Sequence, residues 1–380
     1  MPRSLLLQMV FILLLPLSLR GQVVSNPTDE SAKKLLASST WMKKVCVPPK
    51  IENVEPDGSL ETVLISRKGK MIETREDWAA QRSQLQQRWR EFLGPMPDPR
   101  PKVELETIKT DFVGNVKRDL VRYECEPGMW VEGYLLSPHP LEKDKRLPAI
   151  VAMHPTTTEN IDEIAGLLGR DSRATGLRLA ELGYVVLCPR CFLWQDATDY
   201  NQAVANYRQR HPHSLGMAKM LYDAQRAVDV LESLSYVDPR AIGAMGHSLG
   251  AKETLYLAAF DDRIQVAVAS EGGLGLNSTN WDAPWYLGQA IHEDSFQLNH
   301  HQLLAMIAPR PFLILAGESG SGAADGDRSW QLVIEARPAW LLYSARPRLG
   351  ILNHRAGHIF DEEQFKATVG WLDSVLKEKR

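Results

Sequence analysis

Residues 241–255 read AIGAMGHSLGAKETL, and the fold turns on them. Ala241–Gly246 is an apolar run with the length of a buried strand, and a helical pattern starts soon after it. Between the two stands Ser248, with Gly246 on one side and Gly250 on the other. A serine that only capped a helix would need neither glycine. A serine held in a tight turn from strand to helix needs both, because side chains there would collide. Gly246-His247-Ser248-Leu249-Gly250 fits G-x-S-x-G, a pattern that presents a serine hydroxyl at the end of a sheet. Five residues alone occur by chance; the strand before and the helix after make the match specific.

Outward from this stretch the chain alternates. Pro148–Met153, Tyr184–Cys188, Ile264–Ser270, Pro311–Gly317 and Arg348–Asn353 are apolar runs without polar alternation. Helical spacing separates them, at Ala174–Leu182, in the stripe from Met217 to Leu234, and from near Asp361 to Leu376. Strands buried on both faces and parted by helices predict a mainly parallel sheet with helices on both sides. Val103–Phe112, Val116–Cys125 and Trp130–Leu136 alternate and predict antiparallel N-terminal strands, so the expected fold class is α/β. Thr74 with Asp77 resembles a capping box, and Trp78, Leu85, Trp89 and Phe92 follow at helical spacing until Gly94-Pro95. The expected organisation is a signal peptide over 1–21, a helical extension over 22–101 packed on the core, and a catalytic domain over 102–380.

The 380 residues are 44% hydrophobic and 24% charged with a net charge of −3, an ordinary globular composition. There is no long basic run, so nucleic acid is not an expected partner. Arg3 precedes the apolar run Leu5–Leu19, which breaks at Arg20-Gly21-Gln22 and holds Gln8 and Pro16. That reads as an export signal cleaved near Gly21, leaving a secreted or periplasmic protein with no stable membrane insertion; the alternative is an uncleaved anchor. Of the four cysteines, Cys188 and Cys191 form C-x-x-C, but one pair cannot make a four-ligand metal site. No metal or organic cofactor is expected. Export permits a Cys46–Cys125 bridge without sequence deciding it.

Antiparallel strands followed by a parallel core with Gly-His-Ser-Leu-Gly resemble the α/β-hydrolase fold. Within it, GHSLGAKETLYLAAFDDRI, SEGGLGL, NWDAPWY and IAPRPFLILAGE resemble the exported group related to dienelactone hydrolases and acetyl xylan esterases. Lys252, four residues after Ser248, and HHQLLAMIAPRPFLIL are similar to segments of glucuronoyl esterases. Those enzymes carry Arg directly after the nucleophile, where this chain has Leu249. Dienelactone hydrolases proper use a cysteine, where this chain has Ser248.

The resemblance implies a serine hydrolase with a catalytic triad in the order Ser, acid, His. Ser248 is the expected nucleophile. The expected base is His358 in NHRAGHIF, with His354 closer to the strand end. The acid is expected in AGESGSGAADGDRSW, with Asp325 favoured and Asp327 beside it; Glu271, after Ile264–Ser270, is the alternative that some glucuronoyl esterases use. The oxyanion hole is expected from the backbone N–H of Leu249 and from the MHPTTTEN loop, at Thr156, flanked by His154 and Thr157. Lys252 lies one helical turn beyond Ser248 and is a candidate for substrate contact, as are Trp194, Trp281 and Trp285, which suit stacking on a sugar ring. An ion pair with Glu271 and core packing are the structural alternatives. The expected activity is hydrolysis of an acylated or esterified carbohydrate through an acyl-enzyme. Alternatives are a serine peptidase of the same fold and a non-catalytic binding protein on a hydrolase scaffold. Oligomeric state is not legible.

Overall fold

The computed structural model describes residues 30–50, 60–66, 68–195, 197–343 and 348–377. The expected signal peptide lies outside the described residues. One nine-stranded sheet runs through the molecule in the order β1-β2-β3-β5-β4-β6-β7-β8-β9. Its strands are β1 Leu105–Val113, β2 Val116–Glu126, β3 Met129–Pro138, β4 Leu147–Met153, β5 Val185–Pro189, β6 Val237–His247, β7 Ile264–Ser270, β8 Phe312–Ala316 and β9 Leu349–Asn353. The pairings β1–β2, β2–β3 and β3–β5 are antiparallel, and every pairing from β5–β4 to β8–β9 is parallel.

Successive residues of the parallel strands feed two separate cores, which is the period-two geometry of a sheet covered on both faces. Ala149, Val151 and Met153 of β4 join a core with the helices Gly216–Ser233, Leu249–Phe260 and His300–Ile307. Ile150 and Ala152 join the opposite core, with Thr175–Glu181 and Glu362–Leu376. This explains why β4 and β5 read as unbroken apolar runs. β1 behaves differently. It is exposed along most of its length rather than alternating, as befits an edge strand, and its Glu106 and Asp111 pair with Arg122 and Arg118 of β2.

The helix Arg75–Leu93 has Thr74 as N-cap, whose side chain accepts the N–H of Asp77. Its buried stripe Trp78, Leu85, Trp89 and Leu93 lies in the same core as the β4 side chains. Trp89 meets Tyr256 edge-on at 5.7 Å and stacks on His300 at 5.9 Å. All four cysteines are free thiols, so Cys46 and Cys125 are not bridged. Among the described residues no helix is long and apolar enough to cross a membrane.

Trp89 is fully buried between the extension and two helices of the sheet core. Trp89→Ala should cost about 3–5 kcal/mol of stability, as large buried aromatic truncations do. Chemical denaturation should show it as one cooperative transition moved to lower denaturant. A separate early transition would mean that the extension unfolds alone.

Candidate active site

β6 ends at His247, and a helix starts at Leu249. Ser248 between them has φ 59° and ψ −115°, a conformation that side chains rarely adopt. Its N–H donates to the carbonyl of Ser270 at 2.8 Å, which ties the turn to β7. The flanking glycines are sterically required. A Cβ on Gly246 would stand 2.3 Å from the backbone of Gly250, and one on Gly250 would stand 2.3 Å from the carbonyl oxygen of Met153.

Leu249 opens the helix, where first-turn N–H groups lack intrahelical acceptors. Gly250, the next residue, packs against Met153, where β4 ends and the loop carrying Thr156 begins. Thr156 is exposed there, and the buried His154 pins the loop on both sides. Its Nδ1 donates to Pro155 O at 2.8 Å and its Nε2 accepts the Cys191 N–H at 3.1 Å, which fixes the neutral tautomer. Burial pulls its pKa down to about 4.

Glu271 follows β7 directly, at φ 55°, and is buried. Its Oε1 lies 2.8 Å from His354 Nε2, and its Oε2 lies 4.0 Å from His358 Nδ1. The two histidines differ in access: the His354 side chain is 1% exposed and that of His358 29%. Burial, with the Arg173 charge next, holds the His358 pKa below its ordinary value. Burial likewise pushes Glu271 up to about 7, against the opposing pull of His354. His247 sits on the far side, its ring 4.7 Å from that of His358 and its Nδ1 3.1 Å from Ser270 Oγ.

The expectation that Asp325 faces His358 is not met. Its carboxylate is filled by other donors: the N–H groups of Gly273 and Leu274 and the hydroxyl of Ser329, each at 2.8 Å. Asp327 pairs with Arg355 and accepts from Asn353 Nδ2, both at 2.9 Å. The structure therefore sets Glu271 against His354 and His358, one strand end away from the Ser248 turn. It uses Asp325 to brace the loop after β7.

Lys252 and Trp281 depart from the substrate-contact expectation as well. Lys252 is buried, and its Nζ donates to Gly272 O at 2.7 Å and to Thr279 Oγ1. The ammonium lies 3.8 Å over the Trp281 ring and 5.1 Å from that of Tyr286. Trp281 is buried and donates its Nε1–H to Gly273 O. Both side chains are buried and spend their polar atoms on the loop after β7. Lys252 pairs with loop oxygens rather than with Glu271. Trp194 and Trp285 remain partly exposed, joined through Tyr200 at 5.0 and 5.8 Å, with Trp194 edge-on to His154 at 4.8 Å.

Sequence reasoning passed over Arg173, which lines a small hollow with Pro155, His247 and Phe360. Nothing in its local pattern marks it. The set Cys125, Glu126 and Asp223 has metal-ligand spacing, with its donor atoms within 4.8 Å of one another. Lys219 Nζ occupies it instead, 2.6 Å from Glu126 Oε1, 2.7 Å from Asp223 Oδ1 and 3.3 Å from Cys125 Sγ.

The sheet order, the strand-turn-helix at Ser248 and the covering helices make this an α/β-hydrolase fold, with antiparallel strands preceding a parallel core. Residues 131–305 match the Dienelactone hydrolase family. The Bacillus subtilis (strain 168) protein YtaP is 26% identical over 239 residues, covering 60% of this chain and 77% of its own. Among solved structures, a glucuronoyl esterase from Solibacter usitatus superposes with a TM-score of 0.69 at 18% identity, over 85% of this chain and 99% of its own. A CE15 glucuronoyl esterase from Teredinibacter turnerae T7901 gives 0.66 at 17% identity, over 90% and 99%.

The folded chain keeps a proton on Glu271 up to about pH 7, whereas an unperturbed carboxyl releases it near 4.5. Across that window the unfolded state binds fewer protons, so ionisation of Glu271 opposes folding. Glu271→Gln stays neutral. Its melting temperature relative to the parent should therefore rise as pH goes from 5 to 8. A difference that stays flat would show that Glu271 is ionised in the folded chain throughout.

Proposed function

We propose that this chain is an exported serine esterase acting on esterified carbohydrate through an acyl-enzyme, with Ser248 as nucleophile, His358 as base and Glu271 as the orienting acid. The observation that carries the reading is a buried carboxylate facing a partly exposed histidine one strand from the strained Ser248 turn, with the His358 ring 4.7 Å from that of His247, the residue before Ser248. The chain order Ser, Glu, His is the order of this fold.

The chemistry follows from the placement. His358 turns Nδ1 toward Glu271, which leaves Nε2 to take the Ser248 proton as Oγ attacks the ester carbonyl. The lowered His358 pKa keeps the ring neutral, ready to accept that proton. The developing oxyanion is received by the Leu249 N–H and by a donor of the loop at Thr156, both fixed before substrate arrives. His358 then protonates the leaving alcohol, and a water activated by the same ring releases the acid. The 4.0 Å gap between His358 and Glu271 suits a free enzyme whose hydrogen bonds tighten on substrate. His354 is a positioning residue: by holding Oε1 it leaves Oε2 to His358. The carbohydrate part of the reading draws on the esterases that share the fold and on the partly exposed Trp194 and Trp285. Export draws on the leader-like residues 1–21.

With 4-nitrophenyl acetate, Ser248→Ala should lower kcat by about 10⁶, as loss of a triad serine does in a serine protease. Glu271→Gln should lower it by about 10⁴ and Asp325→Asn far less, on the same analogy. If Asp325→Asn shows the larger loss, the acid assignment is wrong.

The kcat/KM profile should rise with pH as His358 and then Glu271 lose their protons, with its upper midpoint at about 7, where Glu271 ionises. His358→Ala should abolish that activity. A profile already at its plateau well below pH 7 would show that an ionised Glu271 is not required.

A further inference from the structure

A cavity of about 760 Å³ opens beside the catalytic pair, and the mechanism above makes no use of it. It falls within the size range of small-molecule sites. Five carboxamides line it: Asn277, Gln297, Asn299, Gln302 and Gln331. Two of them have fixed orientations. Asn299 Oδ1 accepts the His300 N–H at 2.7 Å, and Gln302 Oε1 accepts the Asn299 N–H at 3.4 Å. A backbone N–H only donates, so in both residues the oxygen is bound to the chain and the NH2 end is left for a ligand. Phe296 and Leu276 add apolar surface between the amides.

The charges at the rim do not favour an anion. Arg328 spends its guanidinium on the carbonyls of Glu318 and Ala323, at 3.2 and 2.8 Å, and Glu61 adds one acid. Amides that donate and accept, set among apolar side chains without free positive charge, match a ligand whose polar groups are hydroxyls and whose faces are C–H.

The cavity shares a wall with the site. Ala323 lines it, while the N–H of the next residue, Ala324, reaches Glu271 Oε2 at 3.5 Å. Ser321, in the same loop, accepts the His358 N–H at 3.1 Å. Gly275–Ser278, which also line it, continue the segment that starts at Glu271. We infer that this cavity is a subsite for the sugar chain of the substrate, taking a neutral, hydroxyl-rich oligosaccharide next to the ester being cleaved. The inference rests on the proposed esterase reading.

The test separates the two. Ser248→Ala protein, full chain, is titrated calorimetrically with ester-free xylohexaose and cellohexaose. One of them should bind, and Asn277→Ala with Gln331→Ala in the same background should weaken it at least tenfold with an unchanged melting temperature. With Ser248 restored, the double substitution should raise KM for an acetylated xylo-oligosaccharide about tenfold and leave kcat/KM on 4-nitrophenyl acetate within twofold. Turnover of 4-nitrophenyl acetate without glycan binding, or with binding indifferent to the two substitutions, overturns the subsite and leaves the esterase standing. Glycan binding that depends on Asn277 and Gln331 in a protein that cleaves no ester upholds the cavity and overturns the esterase.

Discussion

The structure depends on one steric constraint, the closeness with which the helix after Ser248 approaches the end of β4. Gly250 leaves no room for a Cβ beside Met153 O, and Gly246 leaves none beside Gly250. With both positions reduced to hydrogen, the chain reverses from strand to helix within one residue. Ser248 bears the strained backbone conformation, secured by its hydrogen bond to Ser270 O. Such strain persists only where the surroundings over-determine it. Here they are the registered ends of β4, β6 and β7, where Met153 lies opposite Gly246 and His247 opposite Ser270.

A second positive-φ residue stands one strand away. Glu271 turns the chain out of β7 as Ser248 turns it out of β6, so two positive-φ residues end two neighbouring strands. Two buried carboxylates share that region, and donors sort them. Asp325 receives two backbone N–H groups and a hydroxyl. Glu271 meets two imidazoles and one long contact to Ala324 N–H. A carboxylate filled by fixed amide donors is a brace. One that faces titratable rings is free to answer their charge.

This sorting also marks the limit of what the sequence disclosed. The strands of the parallel core were legible because burial on both faces writes itself as an unbroken apolar run, as in Pro148–Met153 and Ile264–Ser270. The Ser248 turn was legible because its steric demand is met by residues two places away. The acid was not. Whether Asp325 or Glu271 meets a histidine depends on where β7 and β8 end relative to β9, and on donors from Gly273 and Leu274, some fifty residues before Asp325. The expected helix from Arg75 came through its cap and its tryptophans. The helices Tyr200–Arg210 and Trp330–Ala336 lay in segments without a clear apolar stripe. The amide-lined cavity is assembled from four separated stretches, and no local pattern announces it.

Lys252 shows why position relative to a motif is a weaker guide than burial. One turn after Ser248, it faces away from solvent and reaches the loop beyond Glu271, ending on Gly272 O and Thr279 Oγ1. Burial drags its pKa down to about 7, and the charge of Asp325 opposes that drop. The Trp281 and Tyr286 rings supply an electron-rich cage that partly offsets lost hydration. The ammonium thereby joins two elements that leave different strands, the helix carrying the serine turn and the loop carrying the carboxylate. Movement of one relative to the other would strand a buried cation, which is costly. The helix that follows Ser248 and the loop that follows Glu271 are thus tied by a buried ammonium that contacts neither residue.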